Sequence, residues 1–258
     1  MLWAIDVGNT HTVVGVHDGQ KWAKPWRLAT AQINTEDDFA ATVESLCRMD
    51  VIPFAADCVI VASVVPRVNE SLVRFGERWV KAGVHFVNHG DQVGLPVDYS
   101  PSHAVGADRL ANAIGALAKH KPPVIVVDFG TATTFDTIDS GGVYVGGAIL
   151  PGLLVSLEGL VQHTAKLPQI ELKVPKAAIG KTTVESLEAG LMFGYAGAID
   201  SVAKRIKAEL GPGVTVIATG GLGEVFSEMC GEIDAYDPYL TLDGLRISAQ
   251  KMGLVDPR

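Results

Sequence analysis

Near the N-terminus, Asp6-Val7-Gly8-Asn9-Thr10 closes the apolar run Leu2 to Ile5, and Thr12 to Val16 resumes it on the far side. A strand that meets a carboxylate, then a Gly-Asn-Thr turn, then a second strand is suited to phosphate chemistry. Gly8 lets the backbone come close to an anion, and the turn amides can donate to phosphate oxygens together with the Asn9 and Thr10 side chains. Asp6, at the strand end, faces the same space and can hold a magnesium ion, usually through water. Asp and Gly are equally the residues of an ordinary hairpin turn, so one such segment decides nothing.

The segment returns. Val124-Ile125-Val126-Val127-Asp128-Phe129-Gly130-Thr131 leads into a second strand, and superimposing Asp6 on Asp128 aligns Gly8 with Gly130 and Thr12 with Thr134. Each copy reads as strand, Asp-x-Gly turn, strand, glycine turn, third strand. Two copies in register point to duplicated domains whose turns, facing each other across a cleft, clamp a nucleotide triphosphate. Further on, Ala218-Thr219-Gly220-Gly221-Leu222-Gly223 follows a buried strand and opens a helix. Glycines at that place let a flat group such as adenine lie against the backbone, although a tight βα turn needs them too.

The intervening segments must position these turns. Apolar spacing predicts helices over 35–49, 69–81, 108–120, 184–210 and 222–230, with a final helix after Leu242. Buried strands are predicted over 58–65, 84–87 and 214–218. The uncharged run Ser140 to Leu157, broken by glycines and Pro151, reads as strands plus a turn rather than a membrane helix. The alternation argues α/β architecture, with a break near residue 120 into domains 1–120 and 121–258.

Composition narrows the class. The 258 residues are 48% hydrophobic and 19% charged, enough to bury a sizeable core and incompatible with disorder. The 21 Lys and Arg against 29 Asp and Glu give a net charge of −8 without a basic cluster, which disfavours nucleic-acid binding. Three cysteines without a C-x-x-C pair form neither a disulfide framework nor a zinc site; they read as small buried residues in a reducing cytosol. Asp6 interrupts the N-terminal apolar stretch, so neither a signal peptide nor a membrane span is expected, and the protein is expected in the cytoplasm. The seven histidines show no ligand spacing. The four tryptophans, Trp3, Trp22, Trp26 and Trp79, read as packing residues.

Tyr99 to Arg109 runs into the helix predicted from Asp108. A carboxylate in a helix's first turn is stabilised by the dipole, so Asp108 reads equally as a structural or a functional residue, and Arg109 as a surface charge or a ligand contact. Thr182-Thr183-Val184-Glu185 has capping-box spacing.

The order of the three turns resembles the actin/Hsp70/sugar-kinase superfamily. More specifically, the chain resembles the type III pantothenate kinases over essentially its whole length. The likeness rests on Asp6 to Thr10, Ser63-Val64-Val65-Pro66, Gly106-Ala107-Asp108-Arg109, Asp128 to Thr134, Gly146 to Gly152, Gly180-Lys181-Thr182-Thr183 and Thr219-Gly220-Gly221. It implies duplicated ribonuclease-H-like (actin-like ATPase) α/β domains, each a mixed sheet flanked by helices, with an interdomain cleft. It implies ATP-dependent phosphorylation of pantothenate, the first step of coenzyme A synthesis, with magnesium and a monovalent cation, potassium or ammonium.

Residue by residue, the resemblance places ATP on Asp6, Val7, Gly8, Asn9, Thr10, His11, Thr12, Val13 and Thr131. Pantothenate falls to Tyr99, Gly106, Ala107, Asp108 and Arg109, with Asp108 as general base and Arg109 suited to a carboxylate. Thr183 is implied to reach substrate across a homodimer interface, to which the small residues of the helix from Val184 contribute. Asp128 is implied to hold the monovalent ion, leaving magnesium mainly to Asp6; superfamily logic would put magnesium near Asp128 as well. The competing readings are a regulatory or accessory protein on the same scaffold, and a kinase for another small hydroxyl acceptor.

Overall fold

Runs of Val, Ile and Ala flanked by amphipathic segments assemble into two five-stranded mixed sheets of one design. The computed structural model describes residues 1–256. The first sheet holds β1 (Leu2–Val7), β2 (His11–His17), β3 (Trp26–Ala29), β4 (Cys58–Ser63) and β5 (Val84–Phe86) in the order β3-β2-β1-β4-β5. The second holds β6 (Val124–Phe129), β7 (Ala132–Ile138), β8 (Tyr144–Pro151), β9 (Thr215–Gly220) and β10 (Ala235–Tyr236) in the order β8-β7-β6-β9-β10. In each, the first three strands form an antiparallel meander and the last two add in parallel. The duplication read from the two Asp-x-Gly segments is therefore a duplication of topology.

Register corrects the alignment of the copies by one residue. Val7 pairs with Thr12, whereas Phe129 pairs with Thr133. The second turn is one residue shorter, so Thr133, not Thr134, occupies the place of Thr12, and both are buried.

The helices follow from local signals with a few shifts. Thr35 caps α1 (Glu36–Met49), its Oγ1 accepting the Asp38 amide at 3.1 Å, with Glu36, Asp37 and Asp38 in the first turn favouring the dipole. α2 (Pro66–Phe75) begins earlier than the spacing predicts because Pro66 takes the first helical position, and a π turn (Gly76–Val80) completes the predicted span. α3 is Ala107–Lys119. After Pro151 the chain does not stay extended: α4 (Leu153–Gln162) forms and buries Leu153 and Leu157, one turn apart. α5 (Thr183–Leu210), α6 (Gly223–Met229) and α7 (Leu240–Lys251) complete the set. Among the described residues, no helix is long and apolar enough to cross a membrane.

Each sheet has its own core. In the first, the Trp3 ring meets Trp26, Phe54 and Phe75 at 5.8–6.4 Å, and its indole nitrogen donates to the Ala55 carbonyl at 2.9 Å. In the second, Phe129 stacks on Phe226 at 5.2 Å among Ile125, Val127, Met192 and Ile199. The three cysteines are free and buried, and burial pushes Cys47 up to about 11 and Cys230 to about 12. They remain neutral thiols near pH 7.

The chain divides by contact into Met1–Lys119 joined by the segment from Tyr239 onward, and His120–Pro238. The sequence reading drew one break near 120 and left residues 121–258 together; instead α7 returns to pack along α3. Thr241 Oγ1 donates to Asn112 Oδ1 at 2.7 Å and Lys119 pairs with Asp243 at 2.6 Å. The two helix backbones come so close that a Cβ built on Gly244 would overlap the Ala111 carbonyl. Gly244→Ala is therefore expected to lower stability by roughly 1–3 kcal/mol through overpacking, read as an earlier midpoint in urea. An unchanged midpoint would show that the α3–α7 contact is dispensable.

Candidate functional site

A strand that ends in a turn leaves backbone groups without ladder partners, and these must be bonded elsewhere or offered to a ligand. At the end of β1, the Gly8 amide donates to the His11 carbonyl at 3.0 Å and closes the turn. Two further carbonyls of the turn, those of Gly8 and Thr10, are held by Thr30, a fully buried residue just after β3. Its hydroxyl donates to the Gly8 carbonyl at 2.7 Å and its amide to the Thr10 carbonyl at 3.0 Å. Thr12 Oγ1 lies 2.9 Å from Thr30 Oγ1; since the Thr30 proton is committed to Gly8, Thr12 is the donor. Asn9 and Thr10 stay exposed, Asp6 and Val13 half-buried, and Val7 buried.

Two guanidinium groups flank this turn. Arg67, at the start of α2, donates to the Thr30 carbonyl at 3.3 Å, and Arg27 on β3 reaches His11 Nδ1 at 3.0 Å. Burial and then the Arg27 charge lower the His11 imidazole from its usual value, so the ring is neutral at pH 7 and accepts the Arg27 proton. The Ser63-Val64-Val65-Pro66 segment lies beside it, with the Val64 amide donating to the Val7 carbonyl at 3.1 Å. This is an anion-accepting arrangement: polar side chains outward, carbonyls tied back, positive charge at the rim.

The second unit repeats the plan. Asp128 sits half-buried at the position of Asp6, opposite Thr134 on one side and Thr219 on the other. Gly130 and Thr131 are exposed at the turn. Gly220, in the left-handed region at φ +86°, comes so close that a Cβ there would stand 2.5 Å from Asp128 Oδ1. Its neighbour Gly221 donates to the Phe129 carbonyl at 3.1 Å. The third glycine segment of the sequence is thus fitted against the second carboxylate. Among the described residues no three His, Cys, Asp or Glu converge on one point, and Asp6 and Asp128 are the carboxylates at the two strand ends. Such donors suit hard cations that complete their shell with phosphate oxygens, carbonyls or water.

Asp108 stands in the first turn of α3, which packs against β4, the strand beside β1. The Gly106 carbonyl accepts the Leu110 amide at 3.0 Å and starts the helix. Asp108 Oδ1 accepts the Arg109 amide at 2.8 Å. Burial raises the Asp108 carboxyl above the ordinary range, opposed by the Arg109 amide and then by the Arg109 charge. Ala107 and Arg109 are buried, and Tyr99 is exposed on the preceding loop. The first unit therefore carries the Asp6 turn and the 99–109 segment, and the second carries Asp128, Thr131 and Thr183.

Thr183 is the exposed first residue of α5, whose cap is Thr182, accepting the Glu185 amide at 3.2 Å. Glu185 reaches back to the Lys181 amide at 2.7 Å, one residue earlier than a capping box would place it. A cavity of about 640 Å³ opens at the other end of β1, lined by His17, Lys21, Trp22, Asp243 and Arg246 among others. None of the candidate catalytic, nucleotide or substrate residues lines it, and Trp22, Lys119 and Arg246 all turn to Asp243. Thr30, Arg27 and Arg67 carry no motif and escaped the sequence reading; only the register of β2 with β3 shows Thr30 to be next to the turn.

Two topologically identical mixed sheets, each with an Asp-x-Gly turn at the end of its first strand, define the duplicated actin-like ATPase fold. Solved structures agree on the fold. A Campylobacter jejuni protein described as a Baf family transcriptional activator superposes with a TM-score of 0.63 at 18% identity, covering 98% of this chain and 100% of that one. A Sinorhizobium meliloti protein described as a 2-dehydro-3-deoxygalactonokinase superposes at 0.60 and 12% identity, covering 100% and 99%. Within that fold the family is specific. The type III pantothenate kinase family model matches residues 2–205. The type III pantothenate kinase of Myxococcus xanthus (strain DK1622) is 43% identical over 248 residues, 96% of this chain and 97% of that protein. That of Geotalea uraniireducens (strain Rf4) is 40% identical over 252 residues, 97% and 98%. The chain belongs to the type III pantothenate kinases, the kinase family that phosphorylates pantothenate in coenzyme A biosynthesis.

Thr30→Val keeps the volume but strips the first turn of its hydroxyl support. The expected result is a stability loss of about 1–3 kcal/mol from the unsatisfied Gly8 carbonyl, with a several-fold rise in KM for ATP. Steady-state kinetics and urea denaturation on the same preparation check both; an unaltered KM would detach Thr30 from the site.

Proposed function

We propose that the chain transfers the γ-phosphoryl group of ATP to the primary hydroxyl of pantothenate, with Asp108 as the general base. The observation that carries this reading is the placement of Asp108. It is a carboxylate at a helix start, partly withdrawn from water and raised in pKa, with a buried arginine as its chain neighbour. A raised pKa brings a carboxylate closer to the range in which it accepts a proton effectively. Phosphoryl transfer asks mainly for positioning and charge neutralisation, so one such base is chemically sufficient.

The other roles follow the chemistry of each group. Gly8 lets the backbone come close while Asn9 and Thr10, exposed at the turn, receive phosphate oxygens, with Arg27 and Arg67 supplying positive charge beside them. Asp6 would hold magnesium, and Thr131 would contact the nucleotide from the second turn. Bound magnesium supplies neutralisation of the phosphate charge. Asp128, pressed against Gly220 and beside turn carbonyls, takes the monovalent cation. Tyr99, Gly106, Ala107 and Arg109 hold pantothenate, with the Arg109 guanidinium suited to a bidentate pair with its carboxylate.

The chain acts as a homodimer in the cytoplasm. Supporting the dimer, Ile149, Leu154, Val155, Val184 and Phe193 are exposed on β8, α4 and α5 of the second unit. Exposed apolar side chains on three elements of a metabolic enzyme favour a second copy as their cover. Thr183 lies beside Val184 and would reach the substrate of the partner.

Asp108→Asn is expected to lower kcat by roughly 10²–10⁴-fold with little change in ATP affinity. The sign of the stability effect is opposite to that of a salt-bridged carboxylate. A carboxyl whose folded pKa lies above its unfolded value disfavours the folded state once pH exceeds the unfolded pKa, and fully so above the folded one. The variant should therefore unfold at an equal or higher temperature at pH 7–8, and wild-type kcat/KM should fall on acidification at a pH above the ordinary aspartate range. A coupled ADP assay with pantothenate, ATP and magnesium tests the whole reading. Activity equal in the Asp108→Asn protein would defeat it.

Potassium dependence examines the second carboxylate. Activity should require potassium or ammonium, and Asp128→Asn should raise the activating potassium concentration at least several-fold. A magnesium requirement shifted in its place would reassign Asp128 to the divalent ion.

A further inference from the structure

In the second unit Gly152 stands where Thr30 stands in the first, and its amide takes the Thr131 carbonyl as the Thr30 amide takes that of Thr10, but a glycine brings no hydroxyl. The structure assigns the hydroxyl's duty to Tyr195, in the middle of α5: we infer that Tyr195 is a positioning residue for the nucleotide-facing turn at Thr131. Its hydroxyl lies 3.0 Å from the Pro151 carbonyl oxygen and 2.7 Å from Thr133 Oγ1. A carbonyl can only accept, so the phenol donates to Pro151 and accepts from Thr133. The peptide that it grips is the one joining Pro151 to Gly152, and the Gly152 amide donates to the Thr131 carbonyl at 3.0 Å. The chain of bonds is thus continuous: Tyr195 hydroxyl, Pro151–Gly152 peptide, Thr131 carbonyl. Bonds in such a series polarise one another.

Three further observations support it. Gly152 approaches so closely that a Cβ there would overlap the Thr131 and Gly130 carbonyls, so this turn has no slack against the strand end that Tyr195 holds. Thr133 stands at the register position of Thr12, and each threonine meets a hydroxyl from outside its hairpin, Thr30 for one and Tyr195 for the other. The Tyr195 ring lies 5.4 Å from Phe226 at the core edge, so the phenol is held by packing that does not depend on its hydroxyl. Thr30 in the first unit and Tyr195 in the second serve the same end by different routes.

The inference rests on the reading that the Asp128–Thr131 turn serves ATP and its cations. Its test uses the full-length enzyme with Tyr195→Phe, Thr133→Val and the double variant, alongside Asp128→Asn. With one neutral hydrogen bond removed, KM for ATP should rise roughly three- to tenfold in Tyr195→Phe, while kcat and KM for pantothenate stay within about twofold. Thr133→Val should shift the ATP constant in the same direction, and the double variant should be no worse than Tyr195→Phe alone, because both act through one contact. If Asp128→Asn alters the ATP or potassium constant while Tyr195→Phe leaves KM for ATP unchanged, the inference is wrong and the turn's role stands. If Asp128→Asn alters neither constant, the role of the turn fails and the inference falls with it. A Tyr195→Phe enzyme that loses kcat and both KM values together would mark the hydroxyl as merely structural, which also overturns the proposal.

Discussion

Backbone carbonyls at the end of a sheet compete with the amides beside them for the same space. If a turn is to present its polar groups to an anion, its carbonyls must be tied back, since a carbonyl swung outward repels phosphate as strongly as an amide attracts it. Donors beside both turns meet this constraint. In the first unit a single buried threonine takes two carbonyls, Gly8 and Thr10, with its hydroxyl and amide. In the second unit the carbonyl of Thr131 is taken by the Gly152 amide at the end of β8. The strand order places a third meander strand next to each turn so that its end can supply these donors. Bonds of this kind are individually modest, about 1 kcal/mol net, but leaving the group unmade costs more than the bond contributes.

Legibility in the sequence followed the range of the interaction. Asp6 with Gly8, and Asp128 with Gly130, are neighbours in the chain, so the strand-turn-strand units and their duplication could be read from spacing. The Thr35 cap and the helices of 35–49 and 184–210 rest on contacts within one turn and were equally readable. Thr30 was invisible because it owes its role to the β2–β3 register, and nothing in Leu28-Ala29-Thr30 differs from any strand end. Tyr195 lies further from its turn along the chain and looks like an ordinary half-buried helix residue. The one-residue shift between the hairpins was missed for a related reason: an ungapped count from Asp6 and Asp128 carries Thr12 onto Thr134, and residue identity does not object because Thr133 and Thr134 are both threonine; only the strand pairing selects Thr133. The path of α7 back to α3 depends on Gly244 meeting Ala111, which no local pattern announces.

The third carboxylate obeys a different balance. Asp6 and Asp128 stand half-buried at strand ends, whereas Asp108 is packed at the start of α3. Two effects act on it in opposite directions. The helix dipole and the Arg109 amide favour its charge; burial disfavours it, and burial is the larger. Had the balance fallen the other way, the carboxylate would be a poorer proton acceptor and a better cation ligand, closer in character to the two turn aspartates. The position also explains why Asp108 was undecided in the sequence: a helix-start aspartate is normally a stabilising residue, and burial is what reverses that expectation.

Charge at the first turn completes the physical picture. A triphosphate carries more negative charge than two or three amides can offset, and the turn itself contains no lysine. Arg27 and Arg67 stand where that deficit would be felt, one on β3 and one at the head of α2, each already hydrogen-bonded to a group that supports the turn. Their tethering restricts the side chains before any anion arrives, so less rotamer freedom remains to be lost on binding. The neutral His11 fits the same logic, because an imidazolium beside Arg27 would repel the guanidinium that the rim needs in place. A protein with a net charge of −8 can thus bind an anionic nucleotide, since the field that matters is set within a few ångströms by oriented amides and two fixed cations rather than by the sum over the surface.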